Sequence, residues 1–372
     1  MNKIIFNKIV SFRIVFFLLI FSSSVFAQIN HIKKENFTDD KYLIYDARLC
    51  IKSGEYSRAL KFAEDAKNIR KNQVTFQVRT LENAFKPMEV KRKNNVLSDI
   101  INTLQKRQDY NALDIIDFYV QQKSLNYFDN SSKNLISYIL SRESFPEADW
   151  IIANVYKLEG EYNLAKQYLL SALENESLLD VNSEKYDIMY ELADISFIEK
   201  NMEDYEKYLL LVLSDDSNFK NDSYSDALMN VVKSGGEDVL EKFFLLFRNK
   251  NYKALRSYLS LSEYYETLEQ KERAVKLSAL AALTSFSKIY TVITERNVSF
   301  EYSDCASLLK EMSNYSDVCQ WALTNNVWKN FLDFADKIRG LGYNVFADKM
   351  YSLVATHSPS EYWKDIAKRG NQ

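Results

Sequence analysis

Glycine and proline are scarce in this sequence, with 7 and 3 residues among 372. β-Sheets need a tight turn every few residues, and those turns draw heavily on these two residue types. Hydrophobic residues make up 47% and charged residues 27% of the chain, which is typical of a folded protein. The sequence therefore predicts a folded, all-α protein in which short polar links join long helices.

Residues that commonly bind metals or carry out catalysis are also few, with 3 cysteines and 2 histidines. Three cysteines are too few for a disulfide framework, and Cys50 falls on the inner face of a predicted helix. Cys305 and Cys319 are expected about a helix length apart, beyond disulfide reach. We find no H-E-x-x-H, C-x₂-C, G-x-S-x-G or glycine-rich phosphate loop. The sequence thus predicts no enzymatic activity, no metal site and no cofactor.

Residues 1–27 have the pattern of a secretory signal peptide. Three basic residues precede a short apolar run, and a stretch of small residues ends at Ala27. The run is short for a membrane span of ~20 residues, so cleavage after Ala27 is favoured over an uncleaved anchor. No other stretch is apolar enough to be predicted as a span. We therefore expect an exported, periplasmic protein without a stable membrane anchor after cleavage.

The clearest motif lies in residues 147–173, EADWIIANVYKLEGEYNLAKQYLLSAL. A small residue, Ala153, is followed by a turn glycine, Gly160, and by a second small residue, Ala165. This spacing indicates two amphipathic helices joined by a tight turn, and it resembles the tetratricopeptide repeat (TPR), a helix pair of about 34 residues. Further copies centre on Ala47, Ala193, Ala227, Ser262, Ala306 and Ala335.

The resemblance implies an all-α fold: a right-handed α-solenoid of about nine TPR-like helix pairs with a C-terminal capping helix. A solenoid of another helical repeat is the alternative. The interval from Ala47 to Ala153 is close to three repeats of about 34 residues, which predicts two further pairs between them. The predicted segments are a signal peptide (1–27), a polar lead-in (28–37), N-terminal TPR-like helix pairs that are degenerate after residue 70 (38–145), and the main array with its cap (146–368), which contains an irregular insert near 291–300.

In TPR arrays the first helix of each pair lines a concave groove. Carried over position by position, the resemblance predicts a partner-binding groove formed by Trp150, Asn154, Lys157, Asp187, Tyr190, Asp194, Phe197, Arg256, Glu263 and Glu266. Asn154 and Lys157 resemble a clamp for a peptide carboxylate, but Asp187 and Asp194 would repel that group. The rings of Trp150 and Tyr190 serve either as partner anchors or as packing between helices.

Charge is unevenly distributed along the chain. Residues 61–107 hold eleven Lys/Arg and five Asp/Glu, whereas residues 174–227 hold four and fifteen. These blocks predict two docking surfaces, or self-association of copies through opposite charge, unless they are solvated faces with a chance bias. The predicted basic docking surface consists of Lys86, Lys91, Arg92 and Lys93. An acidic exported chain is a poor candidate for nucleic-acid binding.

These features predict a non-catalytic TPR scaffold for protein–protein interactions in the bacterial cell envelope. In character the chain resembles spirochaete periplasmic TPR proteins, some of which build the collar around periplasmic flagellar motors. One alternative is a periplasmic peptide-binding chaperone or assembly factor that uses the concave groove. Another is an enzyme with an unrecognised site.

Overall fold

The computed structural model describes residues 40–85, 143–246 and 252–371. Within these ranges the chain contains fifteen α-helices and no β-strand, which confirms the predicted all-α class. The chain divides into two compact units, Met1–Asn182 and Ser183–Gln372, called the N-terminal and the C-terminal unit below. The predicted signal peptide, the lead-in and the basic docking surface (Lys86, Lys91, Arg92 and Lys93) lie outside the described residues.

The described part of the N-terminal unit consists of two helical hairpins. Helices α1 (Asp40–Lys52) and α2 (Tyr56–Phe85) form the first, and α3 (Pro146–Leu158) and α4 (Tyr162–Glu174) form the second. Helix α2 packs directly against α3. Their shared core includes Ala66, Ala148 and Ile151.

This direct contact corrects one prediction from the repeat spacing. Because α2 contacts α3, the hairpins around Ala47 and Ala153 are immediate neighbours. The interval of about three repeats between these two residues therefore does not mean that two further hairpins stack between theirs. Most of the two additional pairs predicted for 73–145 fall outside the described residues.

The C-terminal unit is built from the remaining eleven described helices. They are α5 (Glu184–Ile198), α6 (Met202–Leu213), α7 (Asp222–Ser234), α8 (Val239–Phe244), α9 (Leu255–Thr267), α10 (Lys271–Arg296), α11 (Cys305–Met312), α12 (Ser316–Thr324), α13 (Val327–Gly340), α14 (Asn344–His357) and α15 (Glu361–Gly370). Three pairs form hairpins: α5 with α6, α9 with α10, and α13 with α14. The second helix of one hairpin packs against the first helix of the next, α6 on α9 and α10 on α13.

The five hairpins of the described residues share one turn. Each turn has three residues, and the middle residue has a positive φ. These residues are Gly54 (78°), Gly160 (84°), Lys200 (60°), Glu269 (59°) and Gly342 (90°). In every case the next N–H donates to a carbonyl five residues earlier, as from Glu161 to Tyr156 at 2.9 Å. This is the Schellman arrangement that ends a helix with a left-handed residue.

The small residue at the helix crossing keeps a constant distance from that turn. Seven residues before the left-handed position, the chain carries Ala47, Ala153, Ala193, Ser262 and Ala335, all buried. A small side chain lets the two backbones approach closely where the helices cross. Ser262 fits because its hydroxyl donates a hydrogen bond to the carbonyl of Ala274 on the partner helix, at 2.7 Å. The buried crossing residue was therefore predicted correctly in these five copies.

The copies predicted around Ala227 and Ala306 do not follow this pattern. Helices α7 and α8 pack on α10 and α14, while α6 packs directly on α9. Ala227 is only half-buried, and Ala306, near the start of the short α11, is half-buried as well. Ala227 and Ala306 match the repeat spacing along the chain, but neither residue lies where two helices cross closely.

Helix α10 departs most from the length of a repeat. Its 26 residues run to Arg296, through part of the irregular insert predicted near 291–300. Contrary to expectation, it is also the one helix of the described chain that is long and apolar enough to cross a membrane. However, 72% of its apolar window is buried within the protein, as in the core helix of a folded domain. At the C-terminal end of the unit, a short helix is present where the capping helix was predicted, as α15, and it packs on α14.

Because of the shared turn, replacing two nearby glycines by alanine should change the free energy of unfolding in opposite directions. Gly342 has a left-handed φ of 90°, whereas Gly340 ends helix α13; an added Cβ meets no atom within 4 Å at either position. Gly342→Ala should therefore lower the free energy of unfolding by about 1–2 kcal/mol through backbone strain alone. Gly340→Ala should raise it by about 0.5–1 kcal/mol by restricting the unfolded chain.

Urea denaturation followed by circular dichroism measures both effects. Equal changes in the two variants would contradict a role for the left-handed turn.

Candidate interaction surface

The ten predicted groove residues are divided between the two units. Trp150, Asn154 and Lys157 lie on α3 of the N-terminal unit, and all three are half-buried. The guanidinium of Arg48, on α1, lies 5.6 Å from the centroid of the Trp150 ring. Trp150 therefore contributes to packing between neighbouring hairpins, which is one of the two roles left open by the sequence.

In the C-terminal unit, four predicted groove acids form ion pairs with the next hairpin. Asp194 pairs with Arg256, and Glu263 pairs with Lys329 at 3.6 Å. These two pairs occupy equivalent positions. Each acid lies six residues before the left-handed turn residue of its own hairpin, and each base lies thirteen residues before the left-handed turn residue of the next hairpin. Asp187 with Lys253 (2.9 Å) and Glu266 with Lys337 (2.6 Å) complete the set.

These pairs change the interpretation of the acidic block. Part of its charge is neutralised by bases that are distant in sequence, among them Lys253 and Arg256. Exposed pairs contribute roughly 0–1 kcal/mol each, so they help to align adjacent helices without dominating stability. No pattern in the sequence indicated Lys253, Lys329 or Lys337 as partners of these acids. Aligning the hairpins on their turn residues would have placed Lys329 in register with Arg256.

Tyr190 is a packing residue and is not open to a partner. Its ring is buried, and its hydroxyl donates to the carbonyl of Lys253 while accepting from the N–H and Oγ of Ser257, both at 3.2 Å. The guanidinium of Arg256 lies 4.7 Å from the ring centroid. Burial raises the pKa of Tyr190 to about 12. Among its two possible roles, the structure assigns this ring to contacts between helices α5 and α9.

Phe197 is the predicted groove aromatic that remains open to solvent, with 58% of its surface exposed. Its ring centroid lies 5.3 Å from that of Tyr205 on α6, which in turn lies 5.9 Å from that of Tyr264 on α9. We call these three residues the aromatic edge. An exposed ring supported by other rings is well suited to anchor a partner.

Tyrosine–carboxylate hydrogen bonds form a second set of contacts that the sequence analysis missed. Tyr258 donates to Asp216 at 2.8 Å; both side chains are buried. Three similar bonds are Tyr265 to Glu206, Tyr302 to Glu241 and Tyr351 to Asp336. Burial, followed by the nearby carboxylate, raises the pKa of Tyr258. Four tyrosine hydroxyls thus satisfy carboxylates of other helices or loops.

Among the described residues, no group of three or more His, Cys, Asp or Glu side chains is placed to hold a metal ion. A cavity of about 330 Å³ lies between α11, α12, α14 and α15, and its lining includes Cys319, His357, Lys310 and Lys364. Burial raises the pKa of the Cys319 thiol and lowers that of His357. At neutral pH these two groups are therefore a neutral thiol and a neutral imidazole, and the thiol donates to the carbonyl of Met312 at 3.5 Å.

Two uncharacterized proteins of spirochaetes are similar to this chain in sequence. No family model matches it. An uncharacterized protein of Treponema pallidum (strain Nichols) is 30% identical over 334 residues, which cover 88% of this chain and 89% of that protein. An uncharacterized protein of Borreliella burgdorferi is 22% identical over 211 residues, covering 51% of this chain and 65% of that protein. The fold defines an all-α protein built from helical hairpins, and the chain belongs to the same family as the Treponema protein.

The buried Tyr258–Asp216 bond yields a prediction about stability and pH. Tyr258→Phe leaves Asp216 with one donor fewer, the N–H of Asn218 at 2.8 Å remaining, and should cost about 1–3 kcal/mol. Because the folded-state pKa of Tyr258 is raised, its contribution is present below the unfolded value near ~10 and is lost as pH rises above it. The wild type should therefore lose up to ~1.4 kcal/mol per pH unit more than Tyr258→Phe above that pH.

Urea denaturation between about pH 8 and 11 measures this difference. Tyr362→Phe, at an exposed ring of the same unit, is the control and should leave the free energy of unfolding at neutral pH unchanged within ~0.5 kcal/mol. Identical pH dependence in the wild type and Tyr258→Phe would contradict the assigned hydrogen bond.

Proposed function

We propose that this protein is an exported, non-catalytic scaffold of the TPR type that mediates protein–protein interactions in the bacterial cell envelope. The observation that carries this proposal is the repeated register of five hairpins, each with a small crossing residue seven positions before a left-handed turn residue. Such repetition is typical of proteins that add binding surface one repeat at a time, without a separate core for each addition.

The stacking within each unit supports an α-solenoid. In the N-terminal unit α2 packs on α3, and in the C-terminal unit α6 packs on α9 and α10 on α13. The two equivalent ion pairs, Asp194–Arg256 and Glu263–Lys329, support a similar relation between successive hairpins. We propose a right-handed TPR-like solenoid closed by α15, with fewer regular pairs than the nine predicted.

We further propose that the protein acts in the periplasm, in the assembly of a structure associated with the flagellar motor. Two observations support this setting: the signal-peptide pattern of residues 1–27, and the spirochaete origin of both relatives. The second observation agrees with the resemblance to spirochaete periplasmic TPR proteins. We propose no stable membrane anchor after cleavage.

A peptide-binding chaperone or assembly factor is the second candidate, because Phe197 remains exposed among the predicted groove residues. The burial of Tyr190 and the contact between Trp150 and Arg48 argue against the broad groove predicted from the sequence. The enzyme alternative has no comparable support in the described residues.

Export is tested by expressing the full chain in a spirochaete and determining its fractionation and its first residue. We expect a periplasmic protein that begins at Gln28, because a small residue at Ala27 meets the requirement of signal peptidase. Ala27→Arg, which places a large charged side chain at the cleavage site, is the control and should retain residues 1–27. A wild-type chain that stays in the cytoplasm would overturn the proposed location.

Scaffolding is tested by cross-linking in intact cells, followed by purification of the exported chain and identification of its partners. We expect defined envelope proteins, including components of the flagellar motor. Deletion of the gene should then alter the assembly of that structure. Turnover of a small molecule by the purified chain alone, without any partner protein, would favour the enzyme alternative.

A further inference from the structure

We propose that the aromatic edge of the C-terminal unit, formed by Phe197, Tyr205 and Tyr264, docks a basic segment of a partner protein that inserts an apolar anchor residue. This inference rests on the proposed scaffold function and specifies its contact surface and the chemistry of its partner.

The geometry of the edge fixes an exposed ring in place. Phe197 lies at the end of α5 and contacts Tyr205, with the two ring planes at 50°. Tyr205 meets Tyr264 edge-on at 86°, and both tyrosines are half-buried. Phe197 is therefore supported by Tyr205 of α6, which in turn packs on Tyr264 of α9, while more than half of the Phe197 side chain faces solvent. A ring that is already ordered loses little conformational entropy when a partner covers it.

Two more exposed apolar side chains lie close to this edge along the chain. Leu268 lies four residues after Tyr264, one helical turn further along, and 45% of it is exposed. Ile198 follows Phe197 directly and is 51% exposed. Single exposed apolar residues are ordinary on protein surfaces, whereas a group supported by stacked rings is typical of interaction sites.

The charge around the edge selects the partner. Its surroundings carry more acids than bases, since residues 194–207 and 256–273 together hold nine Asp/Glu and five Lys/Arg. The exposed acids of these segments include Glu199, Glu203, Glu263, Glu266 and Glu269. Glu263 and Glu266 pair with Lys329 and Lys337, yet their side chains remain 67% and 54% exposed. A negative rim around an apolar centre attracts Lys- and Arg-rich segments and repels acidic segments and anionic lipid headgroups.

Peptide display against the exported chain tests this inference, with the Phe197→Ser variant as counter-target. We expect enriched peptides that combine an aromatic or large aliphatic residue with flanking Lys or Arg. In fluorescence anisotropy, Phe197→Ser should weaken their binding roughly tenfold or more, as for a central anchor. Tyr362→Ser is the matched control, since Tyr362 is an exposed ring of the same unit that also contacts a neighbouring ring, that of Trp363. It should leave binding unchanged.

A charge variant provides a second readout that does not depend on Phe197. Glu203→Lys with Glu269→Lys changes two exposed acids that form no ion pair within the described ranges. It should weaken peptide binding at low salt, and the difference should shrink as added salt screens it. The charge-matched control is Glu295→Lys with Glu301→Lys. Both acids are exposed, Glu295 near the end of α10 and Glu301 beyond it, and the control should have little effect on peptide binding.

Several results would overturn the inference. These are enrichment of acidic peptides, no enrichment at all, or equal binding to the wild type and Phe197→Ser. If sedimentation shows that Phe197→Ser converts a dimer into a monomer, the occupant is a second copy of this chain and the proposed partner is wrong. If envelope partners still cross-link to Phe197→Ser, the scaffold function stands and only this docking surface is excluded. If no envelope partner cross-links to the wild type, both the scaffold function and the docking surface are excluded.

Discussion

The close crossing of two helices at one small side chain is the constraint on which this fold depends. An alanine or serine at that point lets the backbones approach, and a left-handed residue seven positions later returns the chain in the required direction. The requirement is strong enough to hold Lys200 and Glu269 in a conformation that costs a residue with a Cβ about 1–2 kcal/mol. Packing of the hairpin core offsets that local strain.

The contacts between hairpins have two kinds of polar component, and they differ in energy. The ion pairs from Asp194 and Glu263 lie at the surface, where solvent reduces their value. The bond from Tyr258 to Asp216 is buried, and an unsatisfied carboxylate there would be expensive. The buried tyrosine bonds therefore contribute more than the surface pairs to the specificity of helix packing.

Local patterns predicted much of each hairpin but little of how the hairpins meet. The crossing positions Ala153 and Ser262 were recognisable because they lie at a fixed distance from a turn along the chain. Ala227 matched the same spacing, but its helices pack elsewhere, since spacing carries no information about which surfaces meet. The predicted groove shows the same limit. Tyr190 is buried by a hairpin that begins more than sixty residues later, whereas Phe197, two turns further along the same helix, is left exposed.

By itself, the sequence determined the all-α class and the five hairpins whose small crossing residue is buried. Those features depend on residue size, helix periodicity and backbone freedom within about thirty residues, which is the scale on which such patterns act. Only the tertiary structure decided that α2 meets α3 directly, that distant bases neutralise part of the acidic block, and that one aromatic edge stays open. The physical reason is that burial and pairing are set by which surfaces come together, and residues far apart in the chain contribute equally to that outcome.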